Sequence, residues 1–172
     1  MNSNPIEAKE YHSYYKTYLE KANTDGPIVE GLKENLNVLV SFFSDIPEEK
    51  QNYAYAEGKW TVKDILLHII DTERIFAYRA LRIARRDKSP MVGFEQDDYV
   101  ANGYAVKRTL ENLIEEYKAV RQATIALFNS FEASTLLQIG EASGAAFSVR
   151  VLGYITIGHE NHHIQIIKER YI

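Results

Sequence analysis

The chain contains no cysteine among its 172 residues. This absence excludes disulfides, thiolate zinc sites, iron–sulfur clusters and a cysteine nucleophile, so any metal ligands must come from His, Asp and Glu. Positive charge is also scarce, because 20 Lys+Arg against 24 Asp+Glu give a net charge of −4. Nucleic-acid binding needs a basic surplus to neutralise phosphates, so we expect no nucleic-acid partner.

Long apolar runs, prolines and glycines are few as well. No stretch approaches the roughly 18 apolar residues of a membrane span, and the first thirty residues lack the basic start and apolar run of a signal peptide. The 4 prolines and 9 glycines are too few for long linkers. These features predict a single domain over residues 1–172 that lies in the cytoplasm and has no membrane partner.

Helical periodicity fills most of the chain between clusters of turn-forming residues. It predicts four long helices, at residues 28–43, 60–86, 107–131 and 148–171, and a short amphipathic helix within residues 7–22. Residues 89–104 form a long connection between the second and third long helices, a length typical of functional loops. The sequence therefore predicts an all-α fold, a four-helix bundle with a short N-terminal helix and a long crossover loop that forms one wall of a pocket.

Three of the five histidines, His159, His162 and His163, lie in one five-residue stretch of the predicted last helix. His159 and His163 are one turn apart on an otherwise apolar stripe, so their rings lie about 40° apart around the helix and can meet at one ion. Buried imidazoles need partners for their donors and acceptors, and a divalent cation would supply one. His68, on the inner stripe of the second helix, is the predicted third ligand. Three imidazoles leave coordination positions open, which is typical of a catalytic metal site.

Two alternatives to this triad remain open from the residues alone. His162 could replace His163 as a ligand, although it points toward the edge of the helix seam and is more readily interpreted as a flanking residue. The histidines could also be core residues that are satisfied by hydrogen bonds without a metal.

Charged residues of the second helix have competing interpretations too. Asp71, one turn from His68, could accept a ring N–H and fix the ligand tautomer, or it could form an ion pair with Arg74 or Arg79. For Arg79 itself, an ion pair with a loop carboxylate is favoured over anion recognition. Glu73 is interpreted as part of a solvated helix face.

Four stretches of the sequence resemble the DinB-like superfamily: GKWTVKDILLHIIDTER at 58–74, RALRIAR at 79–85, GFEQDDY at 93–99 and GHENHHI at 158–164. The similarity covers about residues 10–172. It implies an up-down-down-up four-helix bundle with a divalent metal, usually zinc or nickel, held by His68, His159 and His163. It also implies a homodimer formed through helices of the bundle.

The resemblance further implies a set of activities. Characterised members are transferases and isomerases that use a low-molecular-weight thiol such as bacillithiol, mycothiol or glutathione, and many others are described only as metal-dependent hydrolases. We therefore expect a metal-dependent S-transferase that acts on an electrophilic small molecule. The alternatives are a metal-dependent hydrolase and a non-catalytic metal-binding protein of the stress response. No catalytic residue beyond the metal ligands is predicted.

Overall fold

The computed structural model describes residues 5–172, and helices dominate this part of the chain. In chain order the elements are α1 (Lys16–Glu20), α2 (Ile28–Ser44), α3 (Glu48–Gln51), α4 (Val62–Ala84), α5 (Gln96–Gly103), α6 (Leu110–Asn129), α7 (Ala133–Leu136), β1 (Ile139–Ala142), β2 (Ala145–Ser148) and α8 (Val149–Arg170). The two strands form an antiparallel hairpin that leads directly into α8. Over residues 5–172, no helix combines the length and the apolar character that a bilayer crossing requires.

Side-chain caps fix where three of the four long helices begin. Thr61 and Asp64 form a capping box at the start of α4, in which Asp64 N–H donates to Thr61 Oγ1 at 3.1 Å and Thr61 N–H donates to Asp64 Oδ2 at 2.9 Å. Thr109 and Ser148 cap α6 and α8 in the same way, each accepting a backbone N–H from three residues further on. The predicted bounds of these helices are therefore close to the observed ones.

Two clusters of buried apolar residues reveal the direction of each helix. One cluster joins the C-terminal halves of α2 and α8 to the N-terminal halves of α4 and α6, and the other cluster joins the opposite halves. Thus α2 and α8 run one way and α4 and α6 the other, which confirms the predicted up-down-down-up bundle. Around the bundle the order is α2–α6–α4–α8, so α4 and α8, which carry the three predicted ligands, lie side by side.

Helix α8 is the most enclosed of the long helices, because its residues 149–160 are all buried. Gly158 lets the backbone of α1 lie directly against α8, since a Cβ atom at this position would overlap the backbone carbonyl of Tyr18. Helix α1 therefore crosses α8 directly beside His159.

The N-terminal segment contains the predicted short helix, α1, but the residues before it are not part of that helix. Residues 7–22 do not form one helix but two 3₁₀ turns, at Ala8–Glu10 and Ser13–Tyr15, followed by α1. Tyr11 is extended and pairs with Phe147 of the hairpin, and the His12 ring accepts the backbone N–H of Tyr14, which starts a new turn. Tertiary pairing thus interrupts a helical pattern.

Two other segments carry structure that the sequence analysis did not assign. The crossover predicted as a loop contains α5, which has Asp97 and Asp98 in its first turn, where carboxylates favour the positive end of a helix. The hairpin occupies a stretch interpreted only as turn-forming. Ser143 and Gly144 at its tip have φ angles of 54° and 72°, as a two-residue hairpin turn requires.

Candidate metal centre

Three histidine side chains converge between α4 and α8. The Nε2 atoms of His68 and His163 each lie 3.0 Å from Nε2 of His159, and the three candidate ligand atoms lie within 4.8 Å of one another. His68 and His159 are buried, and His163 is partly buried. The structure therefore brings together the three residues that the sequence predicted.

The donor set fits a divalent cation. A ring nitrogen carries either one proton or one lone pair, so Nε2 of His159 cannot make a full hydrogen bond with both neighbouring Nε2 atoms at once. One cation among the three nitrogens would take a lone pair from each ring and remove this conflict. Nitrogen ligands from histidine suit zinc and nickel alike, so the donor chemistry alone does not choose between them.

Burial keeps the three rings neutral, which is the form that binds metals. It lowers the pKa of His68 from 6.5 to about 4. The pKa values of His159 and His163 lie well below 6.5, first because of burial and then because of neighbouring histidines. At neutral pH the lone pairs are therefore free for an ion.

These lowered pKa values predict acid sensitivity of the metal-free protein. The unfolded chain takes up protons on these histidines below pH 6.5, whereas the folded chain resists until about pH 4 at His68, so stability falls as the pH drops through this window. We expect a loss of about 1 kcal/mol per histidine per pH unit, measured by urea unfolding in a chelator. His68→Gln should flatten this pH dependence. An unchanged slope in that variant would contradict the assignment of the effect to the triad.

Aromatic side chains enclose the triad. The Trp60 ring lies 4.7 Å from the His68 ring, and Tyr18 and Phe76 lie 5.3 and 6.1 Å from His159, all measured between ring centroids. Trp60, just before the start of α4, therefore packs against one of the three candidate ligands. An apolar shell of this kind limits water around a bound ion and strengthens electrostatic interactions within the site.

Two separate cavities reach the triad. The first, here called the tyrosine cavity, has a volume of about 220 Å³. Its lining consists of three tyrosines of the N-terminal segment (Tyr14, Tyr15 and Tyr18), residues 94–96 of the crossover, three residues of α4 (His68, Thr72 and Phe76) and His159 of α8. The second, the tryptophan cavity, has a volume of about 320 Å³ and is lined by Trp60, Lys59, Asp97 and His163, among others. The sequence predicted that the crossover forms one wall of a pocket. In the structure, crossover residues line both cavities.

A sequence model of one protein family matches this chain over residues 32–167, a range that contains all three histidines. The model is that of the DinB superfamily. This chain belongs to that superfamily. The resemblance identified from the sequence motifs is thereby confirmed.

Individual bacterial proteins are also similar to the chain. A protein of Oceanobacillus iheyensis named "putative metal-dependent hydrolase" is 25% identical over 138 residues, which cover 77% of this chain and 76% of that protein. The structure of Bacillus subtilis YfiT, titled a "probable metal-dependent hydrolase with an unusual four-helix bundle topology", matches with a TM-score of 0.70 and 11% identity, covering 96% and 90% of the two chains. The structure of the DinB-like protein YjoA from Bacillus subtilis matches with a TM-score of 0.58 and 20% identity, covering 83% of this chain and 87% of YjoA. At these identities the two structures establish the shared fold.

In this DinB protein, neither Asp71 nor His162, the two residues left open above as partners of the triad, joins the converging ring nitrogens. Asp71 Oδ1 accepts from Arg74 at 3.2 Å, so the structure shows the ion pair. Nδ1 of His68 lies 3.5 Å from Thr72 Oγ1. The His162 ring packs against Tyr18, with 5.4 Å between centroids, rather than joining the converging nitrogens.

A buried charge network beside the DinB triad was missed in the sequence. Glu73 is not on a solvated face, as interpreted above, but is 2% exposed and accepts from Arg121 Nε and Nη2 at 2.8 and 2.9 Å. Arg121 also donates to Glu160, the residue after His159, and Asn35 donates to the same carboxylate at 3.1 Å. The signal that could have found the network is the position of Glu160 at the end of an almost entirely apolar stretch, residues 151–158, because a carboxylate on a buried helix face needs a cationic partner.

Proposed function

We propose that this DinB protein is a metal-dependent enzyme that transfers a low-molecular-weight thiol to an electrophilic small molecule. His68, His159 and His163 would hold the ion, zinc or nickel. When bound, the ion supplies a Lewis acid that favours the thiolate form of a thiol. In the transfer, a bond forms between the thiol sulfur and the electrophilic carbon, the leaving group departs with its electron pair, and the thiol proton passes to solvent.

The observation that carries this proposal is the pair of cavities. A transferase must hold two molecules with their reacting atoms together, whereas a hydrolase needs room for one substrate and a water. The tyrosine cavity reaches His68 and His159, and the tryptophan cavity reaches His163. Two molecules bound in the two cavities would therefore meet at the triad.

The chain's own residues would position the reactants and exclude water. The rings of Tyr18 and Phe76 pack nearly perpendicular to the His159 ring. Burial raises the pKa of the Tyr18 hydroxyl well above its ordinary value, so it stays protonated and can donate a hydrogen bond. Asp97 and Lys59 give the tryptophan cavity one acidic and one basic group. The absence of cysteine poses no obstacle, because the cosubstrate brings the sulfur.

Hydrolysis is the second candidate, favoured by the names of the O. iheyensis protein and of YfiT. The same ion would lower the pKa of a water to about 7. A non-catalytic metal-binding protein is the third, for which chelation would lower the melting temperature without any activity to lose. The homodimer and the cytoplasmic location stay predictions.

The test uses monochlorobimane as the electrophile with glutathione, bacillithiol and mycothiol as separate cosubstrates, and p-nitrophenyl acetate without thiol as the hydrolysis arm. We expect the zinc- or nickel-loaded protein to accelerate formation of a fluorescent thiol adduct, and His163→Ala to lower the rate about 100-fold, the scale on which enzymes lose rate with an essential group. His162→Ala is the matched control and should retain the activity. Activity that survives His163→Ala would contradict the proposal, and ester cleavage alone would favour the hydrolase.

A further inference from the structure

Lys59 and Asp97 are charged side chains of the tryptophan cavity that form no ion pair within residues 5–172. Elsewhere in this part of the chain, the buried Arg121 pairs with two glutamates. Arg79 donates to Ser143 Oγ at 2.6 Å and pairs with no carboxylate of residues 5–172, so the loop-carboxylate partner that the sequence favoured for it is wrong. A basic and an acidic group that both lack partners can receive a molecule with the complementary pair of charges.

The two charges belong to one small space that also reaches the triad. Lys59 and Asp97 line the tryptophan cavity together with His163. Its volume of about 320 Å³ equals that of a cube with an edge of about 7 Å, so one molecule of amino-acid size can touch both charged groups. Ile65 and Ile166 add apolar surface for the methylene groups of such a molecule.

The backbone that carries each charge is held in place. Lys59 directly precedes Trp60, whose carbonyl accepts the hydroxyl of Tyr171 at 2.8 Å, so the segment before α4 is tied to the end of α8. Asp97 lies in the first turn of α5, which packs against α4. Both side chains therefore start from fixed positions on the cavity wall.

Asp97 lies near the triad without belonging to it. Burial lowers the pKa of His68 to about 4, and the nearby Asp97 carboxylate opposes this fall. The candidate ligand atoms that converge within residues 5–172 are those of the three histidines, and Asp97 is not among them. Its negative charge is therefore free to hold a cationic group and to offset the repulsion between that group and a bound ion.

The tyrosine cavity has a different character. Five of its lining side chains are aromatic, and Glu95 is the one charged residue in its lining when the histidines are neutral. This cavity suits an electrophile with a flat or apolar body. The doubly charged reactant is therefore assigned to the tryptophan cavity.

We propose that the tryptophan cavity binds a thiol that carries both an ammonium and a carboxylate, with the ammonium held by Asp97 and the carboxylate held by Lys59. This inference rests on the proposed function for the presence of the sulfur. The thiol class it names is that of amino-acid thiols, in which the two charged groups are attached to one carbon. The sulfur end of the molecule lies toward His163.

The experiment compares four thiols that share one carbon chain. L-homocysteine carries both charges, 4-mercaptobutyrate lacks the ammonium, 3-mercaptopropylamine lacks the carboxylate, and propanethiol lacks both. Their affinities for cobalt-loaded protein are measured by calorimetry, and a thiolate-to-cobalt absorption band reports whether the sulfur reaches the ion. We expect homocysteine to bind at least about tenfold more tightly than either singly charged thiol, because each of these loses a hydrogen bond between charged groups.

Variants assign each charge to its partner. Asp97→Asn should bring the affinities for homocysteine and 4-mercaptobutyrate within about twofold, and Lys59→Met should do the same for homocysteine and 3-mercaptopropylamine. Asp98→Asn and Lys107→Met are the matched controls, because neither residue lines the tryptophan cavity, and both should keep the tenfold preferences. The affinity of each variant for propanethiol confirms that its triad is intact.

Equal affinities of the wild-type protein for the four thiols would overturn the proposal. A preference that survives either Asp97→Asn or Lys59→Met would also overturn it, because the ion itself would then hold that charged group. Failure of the thiol-transfer proposal looks different. In that case no thiol produces the cobalt band, while the sulfur-free 2-aminobutyrate still binds more tightly than butyrate in a manner that depends on Asp97.

Discussion

Gly158→Ala is expected to destabilise the protein by at least about 3 kcal/mol, although alanine is the better helix former by about 1 kcal/mol. The added Cβ would overlap the backbone carbonyl of Tyr18, and a backbone atom cannot rotate away as a side chain can. Either α8 shifts or α1 leaves the bundle, and in both cases Tyr18 separates from His159. Urea unfolding of the metal-free protein measures the loss.

Gly153→Ala is the matched control on the same helix. Its Cβ would lie 2.6 Å from Ile28 Cγ2 and 2.9 Å from Phe128 Cε1, which belong to side chains able to move. We expect a loss of about 1–2 kcal/mol, typical of an overpacked core. If Gly158→Ala cost no more than Gly153→Ala, the packing of α1 across α8 would be contradicted.

Arg121→Met is expected to cost about 3–5 kcal/mol, because it leaves two buried carboxylates without their cation. Arg121 is fully buried and holds Glu73 of α4 and Glu160 of α8, while its Nη1 donates to the carbonyl of Leu32 in α2 at 3.1 Å. One side chain of α6 thus connects all four long helices. Arg74→Met is the control, since Arg74 also joins α4 to α6 but its side chain is 47% exposed. That pair should contribute less than about 1 kcal/mol.

The penalty of Arg121→Met should shrink in acid. Burial raises the pKa of Glu160 even beside the guanidinium, and removal of Arg121 would raise it further. A carboxyl whose pKa is higher in the folded than in the unfolded state favours folding at low pH and opposes it as the pH rises. The stability difference between variant and wild type, measured at pH 5 and pH 8, should therefore be smaller at pH 5. A difference independent of pH would contradict the presence of uncompensated carboxylates.

Features encoded locally were predictable from the sequence. The turn-forming clusters and the apolar periodicity indicated the bounds of the long helices, and the one-turn spacing of His159 and His163 indicated two of the three converging side chains. His68 was identifiable because it replaces an apolar residue on an inner stripe. Each of these signals lies within a single helix and needs no knowledge of a distant partner.

Features that depend on distant partners were not predictable in the same way. Glu73 resembles a surface residue until Arg121, 48 positions later, is known to face it. The helical pattern of residues 7–22 is realised only in α1, because Tyr11 pairs with Phe147 across the fold. The hairpin forms against α4 and α8 from strands only four residues long. The division of the space beside the triad into two cavities likewise depends on where the crossover residues settle.

The central claim is that His68, His159 and His163 hold one divalent ion, and metal stoichiometry tests it most directly. Untagged protein, purified by gel filtration, is compared by elemental analysis with His159→Ala, His163→Ala and the control His162→Ala. We predict about one zinc or nickel ion per chain in the wild type and in His162→Ala, and none in the other two variants, because two imidazoles hold an ion far less tightly than three. Wild-type protein that is metal-free and also fails to bind added zinc and nickel would contradict the claim, and the three histidines would then be core residues.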